Sequence, residues 1–263
     1  MKMQVLVSTM HQTDHTILDK INLQSNAIVV NQCNYNKIEE IEYNGNNVQF
    51  LSLNERGVGL SRNNALLRTN SEICLFADED IKYKDSYVET ILQSFKENPQ
   101  ADIILFNVLS ENPDRPSFVI SNIEEVKKYN CLKYGAVRIA AKTEKLKQAN
   151  VYFSLLFGGG ARYSSGEDSL FLFECIHKGL KVYTSPNIIG YVSQKESSWF
   201  EGFNDKYFSD KGVFYYFLSK KWSRLLCLQF AIRHRKLFKD DKNWKVAYEL
   251  MIKGIKDFKG ESK

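Results

Sequence analysis

The stretch LFADEDIKY, Leu75 to Tyr83, sets three carboxylates, Asp78, Glu79 and Asp80, directly after an apolar run. The apolar residues read as a buried strand, so the acids fall at its carboxyl end. Acids there commonly cap a following helix or lie in solvent. Three in a row repel one another and call for a positive partner. In extended backbone Asp78 and Asp80 point to one side and Glu79 to the other, so two carboxylates can converge on one cation. Oxygen-only ligands favour Mg²⁺ or Mn²⁺, which bind through few carboxylates plus substrate phosphates and water.

Working outward, QVLVST (Gln4–Thr9), AIVVN (Ala27–Asn31), VQFLS (Val48–Ser52) and DIILFNVL (Asp102–Leu109) are further strand candidates. Helical spacing is read around Ile17 and Ile21, over Leu60–Leu67 and over Tyr87–Phe95. Runs apolar on both faces and separated by helices predict an α/β fold, a three-layer sandwich with a mainly parallel central sheet. Ligands of such sheets bind beyond the carboxyl ends of the strands, where Asp78–Asp80 lie. Pro113, Pro116 and a charged stretch weaken the pattern from about Asn112 to Lys147, which reads as loops and an excursion from the sheet. A helix is expected over GEDSLFLFECIHKG, Gly166–Gly179, with Leu170, Phe173 and Ile176 on one face, followed by a strand at KVYTSP.

Two more segments carry chemistry. ERGVGLSRNNALLRT, Glu55–Thr69, brings Gly57 and Gly59 to a helix start with Arg62 in about its first turn, an arrangement that attracts anions but also serves as an ordinary turn. Cation plus arginine suits a diphosphate. Glu167 and Asp168 open the later helix, where they complement its dipole and where a carboxylate can also act as general base.

In their order and spacing, RGVGLSRNNALLRTNSEICLFADED and GEDSLFLF resemble the family 2 nucleotide-sugar glycosyltransferases with the GT-A fold, a Rossmann-like sandwich, especially small bacterial members that build capsular or lipopolysaccharide glycans. The likeness spans roughly Val5 to Ser198. It implies that Val7, Ser8, Thr9 and Asn31 line the nucleotide pocket, that Asp78 contacts the donor nucleoside and, with Asp80, the cation, and that Arg62 lies near the phosphates. It also implies that Asp168 is the catalytic base of an inverting transfer, with Glu167 orienting the acceptor or its loop. FGGGARYSSG falls where the family shapes the sugar pocket. The implied partners are a UDP-sugar donor and a glycan or polyprenyl-linked acceptor, with Mn²⁺ or Mg²⁺ as cofactor. Two departures stand out: Asn31, Gln32 and Cys33 replace the aspartate-rich end of the second strand, and only Ser193 and Gln194 stand where relatives place a metal-binding histidine. A nucleotide-sugar or glycan binding protein without turnover, or a nucleotidyltransferase, stays open beside the glycosyltransferase reading.

The chain of 263 residues is long enough for one generous α/β domain with an appendage, divided here as 1–205 and a helical extension, 206–263. Five scattered cysteines without a C-x-x-C pair indicate neither disulfides nor thiolate zinc and fit a reducing cytosol. The apolar Val5–Val7 is too short for an export signal. The net charge of +5 hides an asymmetry: from Lys211 onward 14 Lys/Arg face 5 Asp/Glu, against 22 and 26 before it. The basic, aromatic stretch GVFYYFLSKKWSRLLCLQFAIRHRKLFK falls short of the roughly 20 apolar residues that span a bilayer. It reads as a helix packed on the catalytic domain, or one lying on the anionic inner face of the plasma membrane. An acidic body without a recognised binding motif argues against nucleic acid.

Overall fold

The computed structural model describes residues 1–113, 115–193 and 202–261. These divide into two compact units: Met1–Leu155 with Glu167–Glu196, and Leu156–Gly166 with Ser197–Lys263.

The first unit holds one sheet built from β1 (Met3–Met10), β2 (Asn26–Gln32), β3 (Lys37–Tyr43), β4 (Asn46–Leu53), β5 (Ile73–Asp78), β6 (Ile81–Tyr83), β7 (Ile103–Ser110), β8 (Ile139–Lys142) and β9 (Val182–Val192). Its order is β3-β4-β2-β1-β5-β8-β7-β9-β6. The strands β4, β2, β1 and β5 run parallel, whereas β8 lies antiparallel to both neighbours. The helices of this unit are α1 (Ile17–Lys20), α2 (Val58–Arg68), α3 (Tyr87–Glu97), α4 (Thr143–Ala149) and α5 (Glu167–His177).

Alternation along β1 separates two cores. Val5 and Val7 face one side with Tyr87, Ile91 and Phe95 of α3, and Leu6 faces the other with Ala65 and Leu66 of α2 and Phe171 and Leu172 of α5. Burial on both faces explains why these strands are continuous apolar runs rather than alternating ones. The sandwich therefore has its expected three layers.

Two expectations are corrected, on 112–147 and on the face of α5, and a strand that the sequence reading passed over is added. The excursion placed over 112–147 returns to the sheet, because Ile139–Lys142 is inserted between β5 and β7. Four residues are too few to show a period. The polar KIEEIEY forms edge strand β3, whose alternation leaves no residue buried. On α5 the buried residues are Glu167, Phe171, Leu172 and Cys175, with Phe173 and Ile176 half-buried beside them.

The second unit carries α6 (Asp205–Leu218), α7 (Ser223–Arg233) and α8 (Trp244–Glu261). Their apolar residues Phe208, Val213, Phe230, Ala247 and Met251 are buried, together with Phe238 from the connection between α7 and α8. The segment 156–166, which the sequence places in the catalytic domain, clusters here instead. Asp210 of α6 accepts from the Ser164 backbone N–H and hydroxyl, both at 3.0 Å, and Arg162 pairs with Glu261 of α8. Gly166, at φ 121°, lies so close to Phe214 that a Cβ would stand 2.6 Å from its ring.

Helices α6 and α8 touch through glycine. A Cβ on Gly212 would sit 2.0 Å from the Met251 carbonyl oxygen, and one on Gly254 2.3 Å from that of Ser209. In a free helix Gly212→Ala gains about 1 kcal/mol of propensity. Here the helices must part, at a cost of about 1–3 kcal/mol or more. The expected outcome is a lower thermal midpoint; a rise would contradict this packing.

Candidate active site

The carboxyl ends of β1 and β5 lie side by side, with Ser8 paired to Asp78. β5 ends at Asp78, a two-residue turn follows, and Ile81–Tyr83 then pairs with Gly190–Val192 of β9. Of the three acids at this strand end, Asp78 and Glu79 take different partners and Asp80 takes no cation.

Asp78 meets Arg62. The guanidinium Nη2 donates to both carboxylate oxygens, at 2.9 and 3.0 Å. Glu79 turns toward β1, where its Oε2 accepts from the Thr9 hydroxyl at 2.6 Å and the Met10 N–H at 3.1 Å. Asp80 forms no ion pair among the described residues. Burial raises its pKa, with Asp78 and Glu79 adding to the rise. The Ser193 N–H donates to its backbone carbonyl at 3.2 Å, so Ser193 lies beside the motif, and Gln194 falls outside the described residues.

Arg62 is only 3% exposed and reaches a second pair of acids. Its Nη1 donates to Glu167 Oε1 at 3.1 Å and to Asp168 Oδ1 at 2.7 Å. One buried cation thus joins two acidic motifs more than 80 residues apart in sequence. Burial alone would weaken the charged form of the guanidinium, but Asp78, Asp168 and Glu167 outweigh it and raise the pKa above the usual arginine value. The Phe153 ring lies beside the guanidinium, 5.2 Å from centroid to Cζ.

Local sequence explains this placement. Gly57, at φ 125°, begins α2 and donates its N–H to Gln32 Oε1 at 2.8 Å. A Cβ on Gly59 would be 2.5 Å from the Ser154 carbonyl oxygen, so only glycine lets 153–154 approach the helix. Asn63 then clamps Phe153 through two hydrogen bonds, at 2.9 and 2.8 Å. Ser61 donates to the Ser8 hydroxyl at 3.1 Å and ties α2 to β1.

Asp168 is gripped from two sides. Arg62 holds Oδ1, and the Ala136 backbone N–H donates to Oδ2 at 2.9 Å. Burial raises its pKa to about 7 against the pull of Arg62, with Glu167 and Asp78 adding to the rise.

The nucleotide-pocket candidates occupy the ends of β1 and β2. Val7 is wholly within the core, and Ser8 and Thr9 are buried. Asn31 is also buried; its amide accepts from the Gln12 N–H and donates to the Gln12 carbonyl, both at 2.9 Å, and to the Ser52 hydroxyl at 3.2 Å. It therefore shapes the loop after β1. Sequence reasoning missed the tethers Glu79, Gln12 and Phe153 and the Ala136 N–H. Only the triplet itself pointed to Glu79, and a backbone donor leaves no residue-type signal.

Among the described residues no group of three or more His, Cys, Asp or Glu side chains is arranged to hold a metal ion. Asp78 is occupied by Arg62, but Asp80 offers a carboxylate without a cationic partner. A single carboxylate fits Mg²⁺ or Mn²⁺ when phosphates and water supply the remaining ligands.

The fold is similar to that of solved structures of S. aureus TarS. Its residues 1–349 in complex with UDP-GlcNAc superpose with a TM-score of 0.66 at 17% identity, covering 98% of this chain and 80% of that one. The complex with UDP gives 0.65 at 18% identity, covering 97% and 81%. At such identity the likeness establishes a GT-A fold. No curated protein matches the sequence. The model of glycosyl transferase family 2 matches residues 9–155, more than half the chain, taking in Arg62 and Asp78–Asp80 and ending before Glu167. The chain belongs to glycosyl transferase family 2.

Proposed function

We propose that this family member is an inverting glycosyltransferase that moves a sugar from a UDP-sugar to a hydroxyl of a glycan or polyprenyl-linked acceptor in bacterial surface polysaccharide synthesis. The observation that carries the reading is the double grip on Asp168, whose carboxylate is fixed beside the strand-end acids by Arg62 and the Ala136 N–H. The UDP and UDP-GlcNAc complexes of similar TarS structures support the choice of donor class.

In this reading Asp168 accepts the proton of the acceptor hydroxyl as that oxygen bonds to the anomeric carbon. The bond from that carbon to the phosphate oxygen breaks, and its electron pair leaves with the nucleoside diphosphate. A single displacement inverts the anomeric configuration. Asp80 would hold a divalent cation, which would offset the negative charge of the diphosphate. Asp78 faces the donor with Arg62 behind it, and Glu79 keeps the loop after β1 in register.

Incubation with UDP-sugars and Mn²⁺ is expected to release UDP. Pyrophosphate release would indicate nucleotidyl transfer instead, and binding without release would indicate a binding protein. Asp80→Ala is expected to lower metal-dependent donor affinity about tenfold or more, the scale of losing one charged ligand. Calorimetry finding metal-dependent binding unchanged would remove Asp80 as the ligand.

Peripheral attachment to an anionic leaflet is part of the proposal. No helix among the described residues is long and apolar enough to cross a membrane. Trp222, Leu225 and Leu237 are nonetheless exposed, interleaved with exposed Lys221, Arg224 and Lys236. Each well-placed basic residue contributes roughly 1 kcal/mol near such a surface. Co-sedimentation is expected to rise with the anionic lipid content of liposomes, and indifference to lipid charge would count against attachment.

A further inference from the structure

Arg62 stands where a cation would be expected to serve a donor diphosphate, yet its hydrogen bonds go elsewhere. Nη2 is committed to both oxygens of Asp78, and Nη1 to Glu167 and Asp168. Only the buried Nε lacks a partner. The fork is fixed from behind by the Phe153 ring and by the Asn63 clamp on the Phe153 backbone. A guanidinium braced in this way has a set direction, and a planar fork transmits that direction to the carboxylates it holds.

We propose that Arg62 is a positioning residue for the general base, using one nitrogen to anchor on Asp78 and the other to orient the Asp168 carboxylate toward the acceptor hydroxyl. The proposal rests on the reading of Asp168 as base and adds to it a residue on which that base depends. The Ala136 N–H on Oδ2 supplies the second fixed point. Two donors on different oxygens define the plane of the carboxylate, which neither could do alone. The charged groups facing Asp168 are Arg62 from α2, Glu167 from its own helix and Asp78 from β5. Arg62 is the single cation among them, so it also favours the ionised carboxylate that two neighbouring acids disfavour.

The test compares full-length wild type, Arg62→Gln and Arg62→Lys, with kcat and kcat/KM measured across pH and UDP affinity measured separately. Loss of the cation in Arg62→Gln is expected to move the acid limb of kcat/KM alkaline by about one pH unit or more, with UDP affinity changed less than about threefold. Arg62→Lys keeps the charge but not the fork. Its limb is expected to stay near the wild-type position while kcat falls about tenfold or more. Limbs unmoved in both variants, with UDP affinity lost and kcat kept, would overturn the proposal and make Arg62 a phosphate ligand. Should Arg62→Gln not fold, Arg62→Lys decides alone: lost kcat with intact UDP binding supports positioning, and the reverse overturns it. Failure of the underlying reading is recognised separately, since Asp168→Asn would then keep its turnover whatever the Arg62 variants do.

Discussion

Asp168→Asn is expected to reduce turnover about 10²- to 10⁴-fold, the range general-base assistance supplies, while leaving donor affinity nearly unchanged. The amide has nearly the carboxylate's shape, but Arg62 and the Ala136 N–H are both donors, so its one oxygen keeps one of the two contacts and its NH2 faces the other donor. It has no basicity to take the acceptor proton. Single-turnover rates together with calorimetry of UDP binding separate these effects. Retention of more than about a tenth of wild-type turnover would remove Asp168 from the mechanism.

Arg62→Leu carries the second large effect, on stability. It fills similar volume but leaves Asp78, Glu167 and Asp168 facing one another with no cation. Removing one partner of a buried ion pair costs about 3–5 kcal/mol. Asp78 and Asp168 keep some access to solvent, with side chains 33% and 25% exposed, which places the loss near the lower figure. The sign of its pH dependence follows from the charges. Without Arg62, Asp168, whose pKa burial already raises, keeps two acidic neighbours and no cation, so its contribution is best at acid pH and is lost as pH increases. The gap in thermal midpoint between variant and wild type should therefore be smaller at pH 5 than at pH 8. An equal gap at both would assign the loss to packing.

The parts legible in the sequence are those whose signal is local. Val5–Val7, Val29–Val30 and Leu75–Ala77 are apolar on both faces, and that alone specifies strands covered by helices. The capping glycines of α2 and α5 and the strand-end position of Asp78 are equally local. What stayed hidden depends on distant partners. β8 is four residues of middling character whose strand state comes from neighbours β5 and β7. The attraction of Arg62 for anions was readable, but its partners were not, because Asp78 and Asp168 meet it only once β5 and α5 are packed on α2. The question raised by the acid triplet accordingly has a protein answer for Asp78 and Glu79, and leaves Asp80 as the carboxylate without an ion pair among the described residues.

The bracing of residues 156–166 by the far end of the chain bears on experimental design. Deleting everything after residue 204 would be the obvious way to ask whether the basic helices recruit the enzyme to lipid. That cut would also remove Asp210, Phe214 and Glu261, which hold Ser164, Gly166 and Arg162 immediately upstream of Glu167. Lost activity in a truncated protein would therefore report a freed loop as readily as a lost address. Charge reversals such as Lys221→Glu and Arg224→Glu leave the brace intact and isolate the lipid question.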